Sequence, residues 1–420
     1  MNLVLPVSMY TFDWMHGLCS AGVLNYTFFA VLQSLEKAGI QIWTSLQQFM
    51  QFWHMPKALK SCSLHSLFDA KAVAAYKKAA CLKCSASEML AMAKPLQYYV
   101  EAICLPQQVC LLESKCLLAW VDVLDFVSSI YTMPSPSAQE LQTLVEIALS
   151  CTIGAGFQDV VRPKHHWCLH LPSCLNTLQC LPSCWAMERK HKVVRKYGNN
   201  IMNTTQYERS LLSEVLREHL AHLDSDEENL RQGAHMINPV PTTRKIQKQL
   251  MEIGFVLAGT SSFSSNTCRL ASGAICTVGD FVFVVCAGPS PYKCGQVQCI
   301  FQVSSLEMCL LQIYSFLGDK VGTQATKWKP AGHLELVAVD AVLSPVVYSH
   351  SSKDELLCLT PAALGKFGSK KTRSLAAALA SFVCLGSSLC WLQPIKAFCF
   401  FQPKDWKPIK AFCFLLFPSQ

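Results

Sequence analysis

Charge is scarce in this sequence. Asp, Glu, Lys and Arg make up 15% of its 420 residues, well under the usual quarter. Apolar residues make up 51%, so the length allows two or three domains with a sizeable buried core. No P-loop, GxGxxG or Ser-His-Asp arrangement stands out, which removes the usual grounds for a phosphate-cradling loop or a serine hydrolase. Residues 1–16, MNLVLPVSMYTFDWMH, lack a basic start followed by a long apolar core, so no secretory signal is evident. The 23 cysteines lack the tight, even spacing of a small disulfide scaffold. Mostly reduced thiols, in the nucleus or cytoplasm, are the expectation.

Positive charge is present in modest excess, a formal +8. It matters because it is clustered, and a clustered patch attracts polyanions where spread charge does not. From Arg162 to Lys196 there are seven Lys or Arg and one carboxylate, Glu188. On a helix Glu188, His191, Lys192 and Arg195 would share one face. The carboxylate could then hold Mg²⁺ while the cations grip phosphates. The competing reading is a solvated helix with an ordinary Glu188–Lys192 ion pair. The run borders the His- and Trp-containing segment 165–170, and that footprint points to DNA as partner. Lys164, Arg189, Lys190, Lys192, Arg195 and Lys196 are the candidate contacts.

Two further patterns carry metal-ligand chemistry. Asp13-Trp14-Met15-His16 sets a carboxylate and an imidazole three apart at a helix start, where Asp13, His16 and Glu188 are candidate Mg²⁺ ligands. The competing reading is that Asp13 caps the helix. Cys62-x-x-His65 followed by Cys81-x-x-Cys84 has the pair spacing of a zinc site, although 23 cysteines make coincidence easy. His165, His166, Cys168 and His170 are similarly attractive and similarly unspecific.

Along the chain, residues 10–56 read as helices. Val23, Phe28, Val31, Leu32 and Leu35 recur at spacings of three and four, Gly39 fits the helix end, and a second helix runs from Ile42 to Trp53. Residues 57–84 read as polar and irregular. Ser85-Ala86-Ser87-Glu88 and Ser137-Ala138-Gln139-Glu140 are capping boxes, opening helices to about Ile103 and Ser150, with another helix over 107–131 between them. An amphipathic helix spans Tyr207–Leu223. Residues 224–245 read as a linker, and a short helix over 243–253 closes a helical region, 1–255. The period then changes to two. Five or six short strands over 262–361, separated by turns such as Pro330-Ala331-Gly332, suggest a small barrel of the SH3 or Tudor kind. Such a barrel is a possible site for a protein partner, with Tyr292, Trp328 and Tyr348 as candidates for an aromatic cage. Residues 366–420 form an apolar tail. Within it 375–392 is long enough to span a membrane, and 394–400 and 408–414 are identical, as in duplicated DNA read as protein. No defined role is expected for that tail, and a product without function is one reading of the whole chain.

The residues at 13–16 and 163–192 resemble parts of eukaryotic DNA-transposon proteins, namely transposases of the CACTA and related groups. Asp13-Trp14-Met15-His16 is similar to the D-x-M-H element near their second catalytic aspartate. Pro163-Lys164-His165-His166, Leu169-His170-Leu171-Pro172 and Glu188-Arg189-Lys190-His191-Lys192 resemble their later block, which ends in a carboxylate on a basic helix. The resemblance covers about 10–361 and implies an α+β chain: an incomplete RNase H-like core with a helical insertion over 17–160, then an accessory β domain. It implies three carboxylates on two Mg²⁺ ions, about 3.5–4 Å apart, with Asp13 and Glu188 as second and third members. Only 12 residues precede Asp13, so the strands bearing the first aspartate are expected to be missing. A truncated, catalytically inactive DNA-binding remnant is the expectation. A Mg²⁺-dependent nuclease completed in trans is the alternative.

Overall fold

The structure, a computed structural model, describes residues 11–59, 63–130, 135–183, 194–202, 205–225, 233–252, 254, 262–285, 292–352 and 354–359. The fold is α+β: roughly half helical, with a curled antiparallel sheet in its C-terminal half.

The helices follow the apolar periodicity. α1 (Trp14–Leu18) leads into α2 (Val23–Lys37), whose Val23, Phe28, Val31, Leu32 and Leu35 are fully buried. Gly39 ends this segment with φ +90°, a backbone angle open to glycine at no steric cost. α3 (Ile42–Met50) follows, then α4 (Ala70–Ala79). α4 corrects the irregular reading of 57–84. Asp69 caps it by accepting from the Ala72 N–H at 2.7 Å, and Val73 and Tyr76 seat it on the core. A stripe of two residues in ten is too narrow to register as a period.

α5 (Ala86–Tyr99) begins at the expected capping box. Ser85 Oγ accepts from the Glu88 N–H at 3.3 Å, and Glu88 accepts from the Ser85 N–H at 2.7 Å. Ser85→Ala is expected to cost about 1 kcal/mol, measured by urea unfolding at neutral pH. α5 carries Pro95 internally and runs into a π-helical turn, Val100–Cys104. α6 (Leu111–Ser129) and α7 (Ala138–Gly154) pack as an antiparallel pair, and α8 (Pro163–Cys168) and α9 (Leu171–Leu178) close over them. A single apolar cluster joins all of these helices. The stretch Trp14–Lys37 is long and apolar enough to cross a membrane, and 72% of its most apolar window is buried inside the protein. The span expected at 375–392, the repeat and the tail lie outside the described residues.

The sheet is larger than the sequence suggests. β1 (His235–Ile237), β4 (Thr267–Arg269) and β5 (Ile275–Thr277) form a three-stranded sheet. The main sheet has nine strands. Its path runs β10 (Val342–Pro345), β6 (Phe281–Val285), β7 (Tyr292–Val303), β8 (Leu306–Asp319), β9 (Ala325–Ala338), β12 (Leu356–Leu359), β11 (Val347–His350). β3 (Ser262–Ser265) pairs with the far end of β7, and β2 (Val240–Pro241) pairs with β3. Every pairing is antiparallel.

Two expectations change here. Pro330-Ala331-Gly332 is not a turn between strands; it lies inside β9, where the register against β8 shifts between Gln312 and Tyr314. A bulge accepts Pro and a glycine at φ +78° where a regular ladder would not. The 224–245 linker and its helix also change assignment. β1 and β2 pair with the β-rich part, and the helix Arg244–Glu252 buries Leu250 against Cys299, Phe301 and Leu310. These elements therefore complete the sheet rather than the helical region.

The two parts touch closely. His54 and Tyr348 exchange backbone hydrogen bonds at 2.7 and 3.1 Å. Ala325, Leu357 and Leu359 are buried in the helical cluster.

Candidate nucleic-acid interface

The first segment singled out by sequence forms a helix start. Asp13 caps α1, accepting from the backbone N–H groups of Met15 at 3.1 Å and His16 at 3.3 Å. Its second oxygen also pairs with the imidazole Nδ1 of His16. Thus the carboxylate and imidazole that could share a metal are joined to each other.

The second segment packs directly against the first, as α8 on α1. Pro163 occupies the first turn of α8, where its missing N–H costs nothing. Lys164 reaches across, and its Nζ donates to the carbonyls of His16 at 2.9 Å and Ser20 at 2.8 Å. Those carbonyls lie at the C-terminal end of α1, where a cation is favourable. Burial pulls the Lys164 pKa down, while the nearby Asp13 charge pulls it up. Lys164 therefore ties the two segments together.

His165 turns inward. Its Nδ1 accepts from the Arg162 N–H at 3.0 Å, so the neutral ring carries its proton on Nε2, 3.4 Å from Thr27 Oγ1. Burial pulls its pKa down to about 4. Cys168 is buried too, its thiol pushed up to about 12 by burial, which makes it a poor nucleophile.

The outward side of α8 is aromatic. Phe12 stacks on His170 at 4.9 Å and 13°, and lies 5.9 Å from Trp167, which is 38% exposed. The Arg162 guanidinium sits 5.5 Å over the Tyr26 ring. This gives one exposed ring, Trp167, and half-buried rings on a face that also carries the exposed Arg162, the composition of a surface that stacks bases and meets phosphates.

The other candidates are placed as follows. Glu188, Arg189, Lys190 and Lys192 lie outside the described residues, so the Asp13–Glu188 pairing has no measured geometry. Arg195 and Lys196 stand exposed on a helical turn, 194–198, with Lys196 over Tyr197 at 5.0 Å. Of the zinc quartet, Cys62 lies outside the described residues. His65 Nδ1 is 3.0 Å from Ser63 Oγ, and Cys84 Sγ is 3.6 Å from the buried Asn25 amide. Cys81 follows the end of α4, its thiol raised chiefly by burial. Among the described residues no group of three or more His, Cys, Asp or Glu is placed to hold a metal.

The aromatic trio at the sheet is part of a core. Tyr292 lies 6.3 Å from Trp328, and Tyr348 packs on Phe281 at 4.4 Å in the same cluster. Trp328 is only 1% exposed and donates to Thr326 Oγ1 at 2.8 Å. A cage needs its rings open to a ligand, and Trp328 is closed off.

Two features escaped the sequence reading. A cavity of about 460 Å³ opens where the helical and β parts meet, lined by Trp53, His54, Lys57, His65, Asp280 and Tyr348 among others. Its lining comes from two stretches, 50–65 and 279–348, more than 200 positions apart, so no spacing reveals it. The other is a buried ion pair, Lys94–Asp125, between α5 and α6.

The chain matches no protein-family model, and no curated protein matches it.

Proposed function

We propose that this chain is a transposase-derived nucleic-acid-binding protein that neither cuts nor joins strands. In this reading the helical part is a remnant of an RNase H-like core with its insertion, and the curled sheet is an SH3/Tudor-like accessory domain. The observation that carries it is the contact between α1 and α8. The two segments that resemble transposase motifs are 147 residues apart from His16 to Pro163 in sequence and adjacent in the fold. A site built from both segments would require that adjacency.

The site chemistry favours binding over catalysis. Two-metal hydrolysis needs carboxylates that face the ions within a fraction of an ångström. Asp13 is instead committed to its own helix start and to His16. The exposed Trp167 ring and the half-buried Phe12 and His170 rings, with Arg162, Arg195 and Lys196, supply stacking surface and cations.

The test is fluorescence anisotropy with a labelled DNA duplex and single strand over a salt series. With about five phosphate contacts, log K against log salt should slope at about −4.5 on duplex. Replacing both Arg195 and Lys196 by alanine should flatten that slope by about 2. A flat salt response in the native chain would overturn the proposal. So would Mg²⁺-dependent cleavage that Glu188→Gln abolishes, which would instead establish the nuclease.

A further inference from the structure

The geometry points to a metal site beyond the nucleic-acid reading, with which it shares only the His170 ring: His166 and His170 as a two-imidazole chelate for a divalent late transition metal, Ni²⁺ or Cu²⁺. The two residues are one helical turn apart, at the end of α8 and the start of α9. Their Nε2 atoms lie 3.1 Å apart. Their ring centres lie 4.8 Å apart, with the planes at 85°.

These two separations distinguish between explanations. In a straight N–H···N hydrogen bond, with about 1.2 Å from each ring centre to its nitrogen, the centres would stand roughly 5.4–5.5 Å apart at this N···N distance. The observed 4.8 Å is shorter, so the two nitrogens are angled rather than collinear. A shared metal requires such an angle. With about 2.1 Å from nitrogen to metal, a single N–metal–N angle of about 95° reproduces both separations. That angle suits the right-angled positions of tetragonal or octahedral coordination, the geometry of Cu²⁺ and Ni²⁺. A tetrahedral zinc centre would set the nitrogens roughly 3.4 Å apart.

The surroundings fit an open site. His166 is exposed and His170 is half-buried, so water can fill the remaining positions. Phe12 stacked on His170 holds that ring in place without using a nitrogen, which lowers the entropy lost when the metal binds. His165, which precedes His166 in the chain and turns its ring inward, is not available: both of its nitrogens are engaged at 3.0 and 3.4 Å.

Ni²⁺ is the better probe, because Cu²⁺ would also oxidise thiols. The experiment is isothermal titration of the full, tag-free chain with Ni²⁺, alongside His166→Ala, His170→Ala and His333→Ala. Outer-shell changes alone cost about 10- to 100-fold in metal affinity, so loss of either ligand should weaken binding by more than about tenfold. His333 is exposed on β9, and its removal should change nothing. Trp167 adds a second readout. Ni²⁺ should quench part of the native fluorescence, and Trp167→Phe should remove that part while leaving the calorimetric affinity intact. Absence of saturable binding at one ion per chain would overturn the proposal. So would equal affinity in the native chain and both ligand variants, or Zn²⁺ binding tighter than Ni²⁺ at these two residues.

Discussion

Lys94→Ala is expected to destabilise the protein by about 3–5 kcal/mol, the cost of stranding one charge of a buried pair. Lys94 Nζ lies 2.6 Å from Asp125 Oδ2, and both side chains are 7% exposed. The ammonium also donates to Gln324 Oε1 at 3.0 Å, at the β8–β9 connection. It therefore joins α5, α6 and the sheet at one point. The other Asp125 oxygen has no hydrogen-bond partner among the described residues. Burial pushes the Asp125 pKa up to about 6, with Lys94 pulling it down and the Asp122 and Glu101 charges adding to the rise.

That shift has a sign that unfolding can read. A carboxyl with a raised folded pKa holds its proton more tightly in the native state than in the unfolded one. Its contribution is fully present below about pH 4 and is lost as pH rises through about 6, some 3 kcal/mol in all. Urea unfolding between pH 4 and 7 should show this slope superimposed on the other groups. Asp125→Asn should remove it. Replacing both partners, Lys94→Met with Asp125→Leu, should recover much of the loss, since a pair of apolar residues leaves no unpaired charge. Equal stability of Lys94→Ala and the native chain at pH 7 would show that the pair is solvated.

Trp120→Ala should cost a similar ~3–5 kcal/mol, for a different reason. Trp120 lies at the centre of the helical core with no exposed surface. Its Nε1 donates to Thr152 Oγ1 at 2.9 Å, linking α6 to α7. Its ring meets His165 edge-on at 5.8 Å, linking α6 to α8. Removal leaves a cavity and withdraws the inner support of the α1–α8 surface. Trp120→Phe keeps most of the volume and loses the hydrogen bond, so about 1–2 kcal/mol is expected. Hydrogen exchange separates the local consequence from the global one. Amides of 164–170 should lose more protection than those of α7 if His165 anchors the site through Trp120. Uniform loss across the helices would assign Trp120 a purely structural role.

Local chemistry was legible wherever neighbours in sequence are neighbours in space. The period of α2, the capping box at Ser85, the single cap bond that Ser137 accepts from the Glu140 N–H in place of a full box, and the cap at Asp13 all act within four residues. The strands of the β-rich part were legible from their alternation, and their extent was not. β9 looked like one short strand because Pro330 and Gly332 are turn residues in most settings. Only the facing strand β8 converts them into a bulge. α4 was illegible because it buries just Val73 and Tyr76.

The sequence alone determined the α+β composition and the helix starts at Asp13, Ser85 and Ser137, because each rests on short-range stereochemistry and periodicity. The tertiary structure decided which residues meet. It set α1 against α8, aimed His166 at His170, paired Lys94 with Asp125 and turned Trp328 inward. Those outcomes depend on how apolar faces from distant elements fill a shared volume, and a side chain's orientation toward that volume is not encoded within its own few neighbours.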